Sequence, residues 1–139
     1  MNFKKVIAGG LAGGIVFFFL GWVIYGMLLA DFMSVNHSLP APRNIDRAMP
    51  LLHYLFVGNL FLGFLIAFVF DKANVKTVQE GMTTGAYFGL LLGVGLDFMM
   101  YGLTTLMNLK MVAVDIAVSV IMYAVIGAVV AFVLSKMNK

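Results

Sequence analysis

Four long stretches almost free of charge alternate along the chain with shorter polar connections: Val6 to Ala30, Leu51 to Phe70, Met82 to Met107 and Met111 to Leu134. Asp97 interrupts the third and Asp115 the fourth. Each stretch reaches the roughly 20 residues that a helix, rising about 1.5 Å per residue, needs to cross about 30 Å of hydrocarbon. None shows the apolar and polar alternation, in segments of about ten residues, that marks a barrel strand. The pattern predicts an all-α membrane protein, a four-transmembrane-helix bundle in one integral membrane domain over residues 1–139, with spans at 6–30, 51–70, 82–107 and 111–134 and an external loop over 31–50.

Composition agrees: 63% of residues are hydrophobic and 11% charged, against roughly 25% charged in soluble domains. The first apolar run follows Lys4 and Lys5, as in a signal peptide. Its 25 residues exceed an h-region of about 7 to 15, so a retained helix is expected. The chain has no cysteine, which excludes disulfides, thiolate metal sites, a lipoprotein anchor and thiol catalysis.

Charge sets the expected orientation. One side of the pattern holds Lys4, Lys5, Lys72, Lys76, Lys136 and Lys139; the other holds Arg43, Arg47 and Lys110. By the positive-inside rule both termini are cytoplasmic. The net charge of +3 then reflects topology and anionic headgroups, so the partner implied is the lipid bilayer and no nucleic acid. The loop from Asp31 to Pro50, with Pro40 and Pro42 inside it, is long for a connection and reads as a solvated connector over the bundle mouth. Within it Asn44 is placed to cap a short interfacial helix over Asn44 to Arg47. Pro50 suits the first turn of the second helix or a kink into it. Asp71 to Glu80 reads as a polar inner connector and Asn108 to Met111 as a tight outer turn.

In lipid, close backbone approach through small residues drives helix association. The third run carries such a ladder, Gly81, Gly85, Gly89 and Gly93, which Asp97, Tyr101 and Thr105 continue. Four residues turn an ideal helix by about 400°, so the ladder drifts about 40° per step while neighbouring members share a face. Gly9, Gly10, Gly13 and Gly14 in the first run, and Ala124, Gly127, Ala128 and Ala131 in the fourth, lie toward the inner ends. A tightly packed inner half is expected. Ordinary helix contact explains these glycines, and spacing alone leaves open whether it lies within or between chains.

Counting depth from the outer ends of the runs places Asp97 roughly 15 Å deep, Asn59 roughly 12 Å and Tyr123 roughly 16 Å, which predicts that they meet at the midplane. His53, Asp115, Tyr25, Tyr101 and Ser119 fall higher, at roughly 3 to 10 Å. The expected picture is a polar vestibule open to the outside above a floor of packed glycines. His53 and Asp115, at similar levels, are expected to pair. Asp97 has no Lys or Arg at its depth. Three readings of it stand together: a buried acid hydrogen-bonded to Asn59 or Tyr123, a proton or cation site, and an intersubunit contact.

Other chemistry is thin. His37 and His53 lack a third fixed ligand for a metal, and only His53 lies in a predicted helix, which argues against bis-histidine haem. Trp22, Tyr25 and Tyr54 fit an interfacial aromatic belt. Phe17, Phe18, Phe19 and the eleven methionines suit lipid contact and gap filling. No serine nucleophile accompanies the one histidine in a span. No enzyme and no cofactor is expected.

The stretch Gly14-Ile-Val-Phe-Phe-Phe-Leu-Gly-Trp-Val-Ile-Tyr25, ahead of a Leu-Leu pair and an acidic external loop, is followed by three more spans, the last with Tyr123 and a small-residue end. In layout this resembles the small four-helix bacterial membrane proteins grouped as domain of unknown function 1761. The resemblance implies a four-span fold in the bacterial cytoplasmic (inner) membrane and carries no activity with it. Two functions are expected from the residues: an accessory or scaffold protein, assembled as a homo-oligomer or in a larger membrane complex through its glycine ladder, or an oligomeric module passing a proton, cation or small amphiphile by way of Asp97.

Overall fold

The structure, a computed structural model, describes residues 3–36, 47 and 49–137. Among these it is all helical, and four helices are long and apolar enough to cross a membrane. Helix α1, Phe3–Val23, runs on through a π-helical turn, Ile24–Leu28. The Leu29 N–H closes that turn on the Ile24 carbonyl at 2.8 Å. A short helix α2, Ala30–Asn36, follows, so the first part of the expected external loop is helical. His37, Pro40, Pro42, Arg43 and the expected short helix beginning at Asn44 lie outside the described residues, as does Lys139.

Helix α3, Leu52–Lys72, ends in a Schellman motif. Asn74 takes the left-handed conformation (φ 56°), the Val75 N–H returns to the Phe70 carbonyl at 3.0 Å, and the Val75 side chain is buried under the turn. Only five residues then lead to α4, Val78–Leu103. Its start is fixed by a capping box: the Glu80 N–H donates to Thr77 Oγ1 at 3.1 Å, and the Thr77 N–H donates back to Glu80 Oε2 at 3.4 Å. The helix therefore starts and stops four residues earlier than the apolar run predicts. At its far end Thr104 turns extended and its hydroxyl caps Met100 O at 2.8 Å. Asn108 then accepts the Met111 N–H at 2.9 Å and opens α5, Leu109–Lys136. Its amide also donates to Asn36 Oδ1 at 2.9 Å, tying α2 to this turn.

The long helices pack antiparallel in the order α4, α5, α1, α3, with α3 also touching α5 and no extensive contact between α3 and α4. The ends of α1 and α5 that carry Lys4 and Lys136 lie together: a side chain on Gly9 would meet Leu134 and Val130. Helix α1 uses two small faces there. Gly13 lies against α5 and Gly9 between α5 and Ala67 of α3, while Gly10 and Gly14 lie against α3, where a Cβ on Gly14 would come within 2.6 Å of Leu60 Cα.

The fully buried side chains cluster at this end: Ile66, Ala67 and Phe70 from α3, and Ile126, Val130 and Ala131 from α5. The outward faces are apolar instead of polar. Phe61, Leu91 and Leu103 are 69%, 72% and 80% exposed. Apolar faces of this extent are what a bilayer covers, whereas a soluble monomer exposes contiguous apolar patches of only a few hundred Å².

Candidate functional site

The site grows from the seam between α4 and α5. A Cβ on Gly81 would strike Ala131 Cβ and come within 2.5 Å of the Gly127 carbonyl oxygen; one on Gly85 would strike the Tyr123 carbonyl. On Gly89 it would come within 2.5 Å of the Ser119 carbonyl, and on Gly93 within 3.4 Å of Ser119 Cβ and Ile116 Cα. As the ladder climbs α4 in fours, its partners descend α5 in fours: Ala131, Gly127, Tyr123, Ser119. The next step sets Asp97 opposite Asp115. The glycine ladder thus packs inside the chain and fixes the register that brings two carboxyl groups together.

That register sets the carboxyl groups of Asp97 and Asp115 beside each other across the seam. Asp115 Oδ1 accepts the phenol O–H of Tyr25 at 2.6 Å, and Ser119 shares a cavity wall with the same tyrosine. Oδ2 of Asp97 is sealed from solvent and accepts no hydrogen bond from any described group. Tyr25 is carried by the π-helical turn at the end of α1. Inserting one residue per turn rotates the side chains that follow, and such turns recur at functional sites.

On the other side of Tyr25 a cavity of about 750 Å³ opens among α1, α3 and α5. Phe17, Phe18, Trp22, Leu52, Leu55 and Met122 give it an apolar wall, and Met49 and Pro50 border it before α3. Its polar points are Tyr25, Asn59, Ser119 and Tyr123. Tyr123 is 8% exposed and holds edge-on contact with Phe17, ring centroids 5.0 Å apart.

The candidate residues therefore divide. Asn59 and Tyr123 share the cavity, while Asp97 and Asp115 share the seam. Asp97 does not meet Asn59, because α4 and α3 flank the row of helices with α5 and α1 between them; the Asn59 amide instead donates to Leu55 O at 2.7 Å on its own helix. His53 is exposed and lies against Tyr54, ring centroids 4.4 Å apart, and the partner of Asp115 is Tyr25 in its place. Tyr101 is 42% exposed at the edge of α4. Gly10 and Gly14 pack α1 on α3 as small residues were expected to do.

No protein-family model, curated protein or solved structure matches the chain. Its own geometry has to carry the functional reading. Counting depth brings Tyr25 and Ser119 into the outer half but does not pair Tyr25 with Asp115. The signal for Ser119 was present: Asp115, Ser119, Tyr123, Gly127 and Ala131 repeat every four residues on α5, the complement of the ladder on α4.

Proposed function

We propose that this chain is a multi-pass protein of the bacterial cytoplasmic membrane, both termini inside, which binds a small amphiphile in the cavity among α1, α3 and α5. The cavity carries this reading. Its volume of about 750 Å³ falls within the roughly 300 to 1,000 Å³ of ligand pockets, and an apolar wall with a few convergent polar groups is the usual lining of such a site. The apolar chain of the ligand would lie along Phe17, Phe18 and Met122, and its polar head at Tyr25, Asn59 and Ser119. The role is binding or passage, with no bond made or broken.

A scaffold role docking partners through the glycine ladder finds less support, because the ladder is spent on α5 of the same chain. Gly21 offers the test. It lines the cavity, and a Cβ there has only Met122 Cε within 4 Å, at 3.8 Å, so Gly21→Leu fills the cavity without pushing helices apart. Native mass spectrometry of gently extracted protein is expected to show an amphiphile retained by the wild type and lost from Gly21→Leu. Equal retention by both, or bare protein in both, would overturn the proposal.

A further inference from the structure

The acid pair borders the cavity without lining it, and Tyr25 belongs to both. An ionised carboxylate only accepts hydrogen bonds. Asp97 and Asp115 nevertheless face each other across the seam that the glycine register sets, with Oδ2 of Asp97 buried and undonated. Tyr25 has a single O–H, and Asp115 takes it. The donor that satisfies two facing carboxyl groups is a proton held between them. Among the described residues the packed elements bring no base to replace it. The π-helical turn contributes the Tyr25 phenol and α5 the Ser119 hydroxyl; Asp31 on α2, Tyr101 on α4, His53 on α3 and Lys110 at the start of α5 are all exposed. The backbone cannot widen the gap cheaply, because four glycine steps hold α4 against α5.

We infer that Asp97 and Asp115 share one proton, and that Tyr25 links that proton to occupancy of the cavity. The link rests on the cavity being a binding site as proposed above. With the proton in place the pair carries one negative charge. When it leaves for the outer aqueous phase, Asp115 becomes a full anion and draws the Tyr25 O–H more strongly. A hydroxyl-headed amphiphile that donates to the Tyr25 oxygen then completes a chain of donors running to that anion, and such chains strengthen one another. The deprotonated pair therefore binds the amphiphile more tightly.

Infrared spectroscopy of the protein in vesicles reads the proton directly through the neutral carboxyl stretch. At neutral pH, where exposed carboxyls are ionised, the wild type is expected to show this band, and Asp97→Asn and Asp115→Asn to lose it. Tyr25→Phe, which keeps both acids, retains the band at a shifted frequency and shows that the helices remain assembled. No band in the wild type, or a band that survives in both Asn variants, overturns the shared proton. The link is read from Trp22, the single tryptophan and part of the cavity wall, by quenching with bromoundecanol. Saturable quenching is expected to tighten about five-fold as the band disappears with rising pH, the worth of one hydrogen bond of about 1 kcal/mol, and to lose its pH dependence in Tyr25→Phe. Saturable quenching of constant affinity overturns the link while the cavity remains a site. Quenching that never saturates overturns the cavity reading and the link together, and the proton then stands or falls on the infrared band.

Discussion

The two ends of this bundle are built from the same helices and differ in what separates them. At the lysine-bearing end, backbones touch: glycines of α1 meet α3 and α5, and glycines of α4 meet carbonyl groups of α5. At the other end the side chains grow, the helices part around a cavity, and the seam closes on two carboxyl groups with a tyrosine. The contrast teaches that the rigid end specifies the polar one. A step of four residues repeated from Gly81 to Gly93 leaves no freedom over which residue of α5 will face Asp97.

That dependence is open to attack, most strongly at the ladder. Gly85→Leu drives a side chain into the Tyr123 carbonyl, and because backbone cannot rotate away, a loss of about 3 kcal/mol or more is expected. Unfolding in mixed micelles measures it, and a native-like midpoint would show that the ladder does not hold the seam. Tyr25→Phe removes one donor from a carboxyl group at the polar end; about 1.5 kcal/mol is expected by the same measurement. A loss as large as that of the ladder variant would mean that the polar end also holds the fold together.

Smaller effects sharpen the contrast. Thr77→Ala removes the cap that sets where α4 begins, for about 1 kcal/mol, with fraying read by hydrogen exchange confined to the first turn. Protection lost along the whole of α4 would contradict the view that the seam holds the helix independently of its cap. Gly95→Ala is the smallest. Gly95 lies on the same helix two residues before Asp97, but a Cβ there would have nothing within 4 Å, so the midpoint is expected to stay within about 1 kcal/mol of wild type, on the stabilising side. A collapse comparable to Gly85→Leu would show that glycine content, and not the four-residue face, is what α4 requires.

The four helices were legible because spans of this length and hydropathy have few alternatives, and the ladder was legible from its spacing. The acid pair was not, and the reason is a boundary. Counting from Met107 sets Asp97 far deeper than Asp115. The structure ends α4 at Leu103 and begins α5 at Leu109, so that Asp97 stands six residues before one terminus and Asp115 six residues after the other. The two are level. The capping box of Thr77 and Glu80 carries the correct starting point of α4, while the apolar run carries only its hydrophobicity. Helix order was the second missing quantity: depth alone cannot show that α5 and α1 stand between Asp97 and Asn59.

The packing order also bears on how the chain is put together during synthesis. The five-residue turn from Ala73 to Thr77 joins two helices that share no extensive surface, so α4 is made after α3 with its glycine face still uncovered. Its partner, α5, follows it in the sequence. Until α5 is made, α4 has no long helix to pack against, and α5 is the element that joins it to α1 and α3. A chain cut short before α5 would leave α1 packed on α3 and the glycine face of α4 without the backbone it fits.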